Sequence, residues 1–385
     1  MCRWFAYISN SEPCLLEDVL IRPAHAITKQ VHDHYLPYLT HYEPDADTKA
    51  TEREIAMRNR LFNTDGLVRA IPVLNDRSHL ITRPRAWHGM SESSLIPGWP
   101  ISCLCRYTTA RSEFTDSEGP RPVQYRIVRE PITDPVFKSV CAQTSSLAVF
   151  AHIRAASEFA VVSEFNNHPF VFDGAQTSAG RYAFMHNGEV AHFASIRREV
   201  LAHVSEDAEQ RIKGSTDSEH LAALFFTYLA GEKGAAAWDA SHSLEEVKAA
   251  LEKAVTTVIS VQHQTLPKKG IEFNASSLNV AVTDGTQLLA IRFRNHPTEH
   301  PPSLYFSTRA GVTLNRKYPG HPDGASPSIL ANIRAAEEHG EHVIVASEPT
   351  TYQKGDWQLV PKNHCLMVGS DMQVDCVPFN VDATS

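Results

Sequence analysis

The chain opens on a strand. Arg3–Ser9 alternates aromatic and small residues directly behind Met1-Cys2, the two-residue period of a β-strand. A fold for this chain therefore has to take its N-terminus into a sheet. Position 2 gives that constraint a chemical meaning. A small residue after the initiator methionine usually lets Met1 be removed, which would leave Cys2 with a thiol and a free α-amine. Unperturbed, the thiol titrates near ~8.5 and the amine near ~7.7–8.0, so the neutral amine can accept the thiol proton around neutral pH. Such a nucleophile carries its own general base. Alone, a cysteine at this position is more often incidental.

The 385 residues suffice for one large domain or two ordinary ones, and 42% apolar with 21% charged residues is a globular composition. A net charge of −8 argues against a nucleic-acid backbone as partner. No apolar run reaches the ~20 residues that span a bilayer, and the N-terminus lacks the apolar stretch of a signal peptide. The seven cysteines are scattered and odd in number, poor material for a disulfide framework, and the expectation is a reducing, cytoplasmic location. Cys103 and Cys105 lack a second Cys/His pair at zinc spacing. His32-Asp33-His34 is an H-x-H pair without a third ligand at a diagnostic distance. The expectation is no metal and no cofactor, with a metallohydrolase as the lesser alternative.

Periodicity places the elements. Glu52–Leu61 reads as a helix. Short buried strands are expected over 147–151, ending at His152-Ile153-Arg154, and over 182–185, stopped by His186-Asn187-Gly188. Asn-Gly is a strong turn signal. Thr216 and Glu219 have capping-box spacing ahead of Leu221, Leu224, Phe225 and Tyr228, with Gly231 as the stop. Ser243 and Glu246 open a second amphipathic helix through Leu251, Val255 and Ile259. Further strands are expected at 277–282, 287–293, 304–306, 342–346 and 365–368. Strands, then helices, then strands again point to an α+β layered fold. From about 68 to about 106 the chain follows neither period and is dense in Pro, Trp, Arg, Ser and His.

A thiol that cleaves an amide needs donors for the oxyanion and a clamp for the charged end of the substrate. Arg154, past a buried strand, can grip a carboxylate through two N–H groups, and Ser157 can add a hydroxyl. Asn187 and Gly188 can present a side-chain amide and a backbone N–H. Asp217, in the first turn of a capped helix, can hold an ammonium. Each has an ordinary alternative: a surface arginine, a simple turn, an acid serving the helix dipole.

Taken together and in order, Met1-Cys2-Arg3, His152-Ile153-Arg154-Ala155-Ala156-Ser157, Asn167-His168-Pro169-Phe170, Phe184-Met185-His186-Asn187-Gly188 and Ser215-Thr216-Asp217-Ser218-Glu219 resemble the class II glutamine amidotransferases, which are N-terminal-nucleophile hydrolases. Val345-Ala346-Ser347-Glu348-Pro349 resembles the closing motif of one branch. That branch contains the amidotransferase-like subunit of fungal glutathione degradation and the γ-glutamyl hydrolase of ergothioneine synthesis. The resemblance covers most of the chain.

It implies a four-layer αββα sandwich, two antiparallel sheets between helical layers, as a single domain over 2–385. It implies Cys2 as nucleophile and its amine as base, Arg154 with Ser157 on the α-carboxylate of a glutamyl group, Asp217 on its α-ammonium, and Asn187 with Gly188 as the oxyanion hole. The expected reaction is hydrolysis of a γ-glutamyl amide in a small molecule, such as glutamine or glutathione, through a γ-glutamyl thioester. No membrane or nucleic-acid partner is expected. The alternative is a catalytically idle subunit bound to a partner peptidase. One departure stands out. Relatives run from Asn-x-Asp-Gly into a Gly-rich strand ending in Gly-Trp-Tyr, whereas here Asn63-Thr64-Asp65-Gly66 leads into the aperiodic stretch. The expectation is an aberrant insertion at about 68–106, of the kind an unspliced intron would encode, which replaces a strand.

Overall fold

Two antiparallel sheets organise the protein in a computed structural model that describes residues 2–23, 25–30, 67–69, 101–108, 121–128, 131–154, 163–174, 180–315, 335–351 and 355–382. In chain order the strands are β1 (Arg3–Ser9), β2 (Cys14–Leu15), β3 (Leu67–Arg69), β4 (Ile101–Thr108), β5 (Arg121–Val128), β6 (Ser145–Ser146), β7 (Ala148–Arg154), β8 (Ala183–Glu189), β9 (Ser277–Thr283), β10 (Leu288–Arg294), β11 (Tyr305–Ser307), β12 (His342–Ala346), β13 (Gln358–Leu359), β14 (His364–Val368) and β15 (Val374–Pro378). The first sheet runs β13-β11-β12-β1-β7-β4-β5-β3 and the second β15-β14-β10-β9-β8, with a small β2-β6 ladder beside them. The helices used below are α1 (Leu16–Leu20), α2 (Pro135–Gln143), α3 (Phe193–Leu201), α4 (Glu206–Glu209), α5 (Asp217–Ala230), α6 (Leu244–Thr265) and α7 (Ala310–Leu314).

Side-chain alternation sorts the strand residues into layers. Trp4, Ala6 and Ile8 of β1 join Ala148 and Phe150 of β7, Ala183 and Met185 of β8, and Ala281 of β9 in a cluster between the sheets. Phe5 and Tyr7 point the other way, into a cluster with Leu16 and Leu20 of α1, Phe137 of α2 and Leu314 of α7. On the far side, Phe184, Leu278, Val280 and Val282 pack against α3, α5 and α6 through Ile196, Leu221, Phe225, Leu251 and Val255. Three interfaces require four layers. The αββα sandwich is the observed architecture.

The helix caps follow the sequence with one correction. Ser243 and Glu246 form a reciprocal capping box at α6. At α5, Thr216 Oγ1 accepts from Glu219 N–H at 3.2 Å, but the Glu219 carboxylate does not return to Thr216. It accepts instead from Lys213 N–H (2.8 Å) and Gly214 N–H (2.7 Å), where two free amides of the preceding loop converge on it. A second correction concerns Asn187-Gly188. These residues do not turn; β8 continues through them to Glu189, paired with β9 as Gly188↔Leu278 and Glu189↔Ser277. The aperiodic stretch contributes β3 at its start and most of β4 at its end, and β4 lies between β7 and β5. The expected Glu52–Leu61 helix, Asn63–Gly66, residues 70–100, His32–His34 and Ser157 lie outside the described residues. Among the described residues, no helix is long and apolar enough to cross a membrane.

Phe226 anchors the helical side: it is fully buried, stacks on Phe172 at 4.6 Å and meets Trp238 edge-on at 5.5 Å. Phe226→Ala is expected to lower the unfolding free energy by about 3–5 kcal/mol, measured by urea denaturation. A loss below about 1 kcal/mol would mean that this layer is not packed as described.

Candidate active site

The alternation that builds the inter-sheet core also aims side chains at one end of it. Cys2 precedes β1 in the inward phase of Trp4 and Ala6. Arg154 and His152 continue the inward phase of Phe150 on β7, and Asn187 that of Met185 on β8. The register Arg3↔Ile153 brings the start of β1 beside the end of β7. Cys2 and Arg154 are therefore neighbours by pairing.

Arg154 is the electrostatic centre. Burial lowers its pKa from the ordinary arginine value, while the charges of Cys2 and Asp217 act in the opposite sense. Its Nη1 is buried and has no hydrogen-bond partner among the described residues. A buried guanidinium with an unused N–H face fits a carboxylate ligand. Asp217 lies at the start of α5, where Oδ2 accepts from Val190 N–H (2.9 Å) and Oδ1 from Ser218 N–H (2.8 Å). Ser218 Oγ also donates to Oδ1 at 3.4 Å, so those bonds fix the carboxylate and Oδ2 keeps a lone pair for a further donor.

Three buried histidines stand behind this charge. His152 Nε2 lies 3.1 Å from the His186 carbonyl oxygen, a hydrogen bond that ties the two sheets together. The His152 ring stacks on His168 at 4.0 Å, and His186 Nδ1 meets Ser218 Oγ at 2.8 Å. Burial pushes the pKa of His152 down to about 3 and lowers those of His168 and His186. All three are neutral at pH 7, so the guanidinium is not joined by a second buried cation among them.

Gly188 explains why an Asn-Gly pair can sit inside a strand. Its φ is +147°, and a Cβ there would lie 1.8 Å from the Ser277 carbonyl oxygen. Only glycine allows β8 to approach β9 so closely. The Asn187 side chain, 2% exposed, makes no hydrogen bond among the described residues, so its amide is uncommitted.

Sequence reasoning missed the anchoring of Cys2. Arg3 Nη1 donates to the Cys2 carbonyl oxygen at 3.1 Å, and Arg3 Nε donates to Glu348 at 2.5 Å in a buried ion pair. Ser347 Oγ accepts from Trp4 N–H at 3.0 Å, and Ser347 N–H returns to the Trp4 carbonyl at 2.9 Å. The signal was available in the Ser347-Glu348-Pro349 motif, but only the sheet reveals its partner. Sequence position alone does not link residue 348 to residue 3.

The sequence is 30% identical over 251 residues to the "Probable glutamine amidotransferase DUG3" of Saccharomyces cerevisiae, a match covering 64% of this chain and 64% of that protein. No family model matches. Among solved structures, a glutamine aminotransferase class-II domain protein from Silicibacter pomeroyi overlaps 98% of this chain and 99% of its own, at 16% identity and a TM-score of 0.49. A glutamine phosphoribosylpyrophosphate amidotransferase from B. subtilis overlaps 73% of this chain and 43% of its own, at 13% identity and a TM-score of 0.39.

The neutral histidines make stability depend on pH. An unfolded histidine titrates near ~6.5, whereas His152 in the fold titrates at about 3. Between these values the unfolded state binds a proton that the folded state refuses. Its contribution is therefore complete above ~6.5 and is lost as pH falls towards about 3, at up to about 1.4 kcal/mol per pH unit. Urea unfolding from pH 4 to 7 is expected to show a shallower slope in His152→Gln than in the wild type. Equal slopes would contradict a buried neutral His152.

Proposed function

We propose that the chain is a class II glutamine amidotransferase and, within that class, a Cys2-dependent amidohydrolase that cleaves a γ-glutamyl amide and releases glutamate. The observation that supports this reading is the half-buried Arg154, whose buried Nη1 has no hydrogen-bond partner among the described residues and which feels the charges of both Cys2 and Asp217. A γ-glutamyl group has an α-carboxylate for Arg154, an α-ammonium for Asp217 and a γ-carbonyl within reach of a thiol. Ser157 is assigned beside Arg154 by the motif alone.

After Met1 is removed, the α-amine of Cys2 takes the thiol proton and the thiolate attacks the γ-carbonyl carbon. The oxyanion is held by Asn187 Nδ2–H and Gly188 N–H. The amine's proton passes to the leaving nitrogen, the C–N bond breaks and a γ-glutamyl thioester remains. Water, deprotonated by the same amine, attacks the thioester. Glutamate and the free thiol result. Arg154 and Asp217 act before the chemistry, by fixing the glutamyl group so that its γ-carbon lies against sulfur. Glutamine, glutathione and other γ-glutamyl compounds share the half that these residues grip, so discrimination has to arise at the leaving-group side.

We assign residues 2–385 to a single domain with an inserted segment at about 68–106. Sequencing the mature transcript tests the aberrant origin of that segment; a spliced message encoding it in frame would overturn it.

With a panel of γ-glutamyl compounds and glutamate release as readout, the Met1-free protein is expected to hydrolyse at least one, and Cys2→Ala none. Asn187→Ala is expected to cost ~10²–10³ in kcat, the usual effect of losing one oxyanion donor. Intact mass fixes whether Met1 is gone in each preparation. Equal glutamate release by wild type and Cys2→Ala would refute the mechanism.

A further inference from the structure

Asn187 has a neighbour that the reaction scheme does not use. On the inner face of the five-stranded sheet, Asn279 of β9 lies directly opposite Asn187 of β8 in register, and cross-strand partners hold their Cβ atoms about 4.5–5.5 Å apart. Asn279 is 0% exposed. Its Nδ2 donates to the carbonyl oxygens of Pro302 (2.9 Å) and Ser303 (3.2 Å). A flipped amide would set oxygen against those two oxygens, so the hydrogen-bond chemistry fixes which end is nitrogen.

The Pro302 carbonyl is itself pinned. Arg292, the β10 residue opposite Asn279, donates from Nε to Pro302 at 3.0 Å and from Nη2 to the Pro301 carbonyl at 3.1 Å. The Asn279 backbone carbonyl accepts from Trp4 Nε1 at 3.3 Å, which ties it to the strand that begins at the nucleophile. What remains is Asn279 Oδ1, buried and without a hydrogen-bond partner among the described residues. Opposite it is an asparagine amide that is equally uncommitted.

An asparagine that stabilises an oxyanion faces an ambiguity. Its amide oxygen and nitrogen have nearly the same shape, and only the nitrogen end lowers the barrier. Some neighbour has to specify which end faces the substrate. We propose that Asn279 is the positioning residue of the oxyanion site: its Oδ1 accepts one Nδ2–H of Asn187 and leaves the other for the substrate oxygen. A rotation of the Asn187 amide about χ2 closes this bond, and that torsion is soft. The assignment rests on the Cys2 mechanism proposed above.

The test separates the two claims. In Met1-free protein labelled with [15N]asparagine, the Asn187 side-chain amide, identified by its loss in Asn187→Ser, should show one proton shifted downfield and slow to exchange. Asn279→Leu should abolish both features. This readout needs no turnover, so an unchanged Asn187 signal in Asn279→Leu overturns the inference while leaving the Cys2 mechanism intact. The kinetic arm uses the γ-glutamyl compound cleaved fastest. Asn279→Leu should lower kcat about 10-fold or more, with KM unchanged because Arg154 and Asp217 are untouched.

Asn279→Asp gives the sharper signature. A protonated carboxyl can donate to Pro302 and still accept from Asn187, whereas the carboxylate is repelled by both carbonyls. Its kcat should approach the wild-type value at low pH and fall as the group ionises, a step absent from the wild type. This variant also covers the case in which Asn279→Leu fails to fold. Wild-type kcat and pH profile in Asn279→Asp would overturn the positioning role. Failure of the wild type to release glutamate, with the amide pair visible, would sink the Cys2 mechanism and not the pairing.

Discussion

The position of β1 is the constraint on which the rest depends. It is not an edge strand: β12 pairs with it on one side and β7 on the other, through Phe5↔Ala346 and Arg3↔Ile153. A terminal strand held on both flanks cannot fray without breaking two ladders, so the residue before it is held at a defined place. The buried Arg3–Glu348 pair and the Ser347 bonds to Trp4 extend that hold to the first residues of the chain. Removing one partner of such a buried pair typically costs about 3–5 kcal/mol, because the other charge is left buried and unpaired.

From this placement the electrostatics follow. Pairing sets Arg154 beside Cys2, and α5, packed on the second sheet, carries Asp217 towards the same end. The three histidines around them are buried and neutral, so local polarity is supplied without competing charge. The His152–His186 bond joins the sheets at the level where Asn187 and Gly188 emerge. Arg154, His152, His186, Asn187 and Gly188 belong to strands and Asp217 to a helix, while Cys2 directly precedes β1 and His168 sits in the bend before Phe170. That is the kind of support a site needs when its geometry must be held to a fraction of an ångström.

Much of this was legible in the sequence. The alternation of Arg3–Ser9 marked β1, short strand-forming runs marked β9, β10 and β12 to within a residue, and Ser243-Glu246 marked α6. Asn187-Gly188 misled because the turn preference of Asn-Gly reflects the same tolerance of positive φ that Gly188 uses inside a strand. Glu219 misled because a capping box and a loop clamp look identical in sequence until the loop is folded. Arg154, Asp217, Asn187 and Cys2 could be nominated from motif order. The approach of Cys2 to Arg154, the Glu348 anchor and the Asn187–Asn279 opposition exist only through strand pairing between distant segments, which no local pattern encodes.

The most direct measurement is a crystal structure of the Met1-free protein with bound L-glutamate. The account predicts the α-carboxylate on Arg154, the α-ammonium on Asp217, and the γ-carboxylate between the Cys2 sulfur and the Asn187 amide. Glutamate bound elsewhere, or a Cys2 sulfur out of contact with the γ-carboxylate, would contradict it.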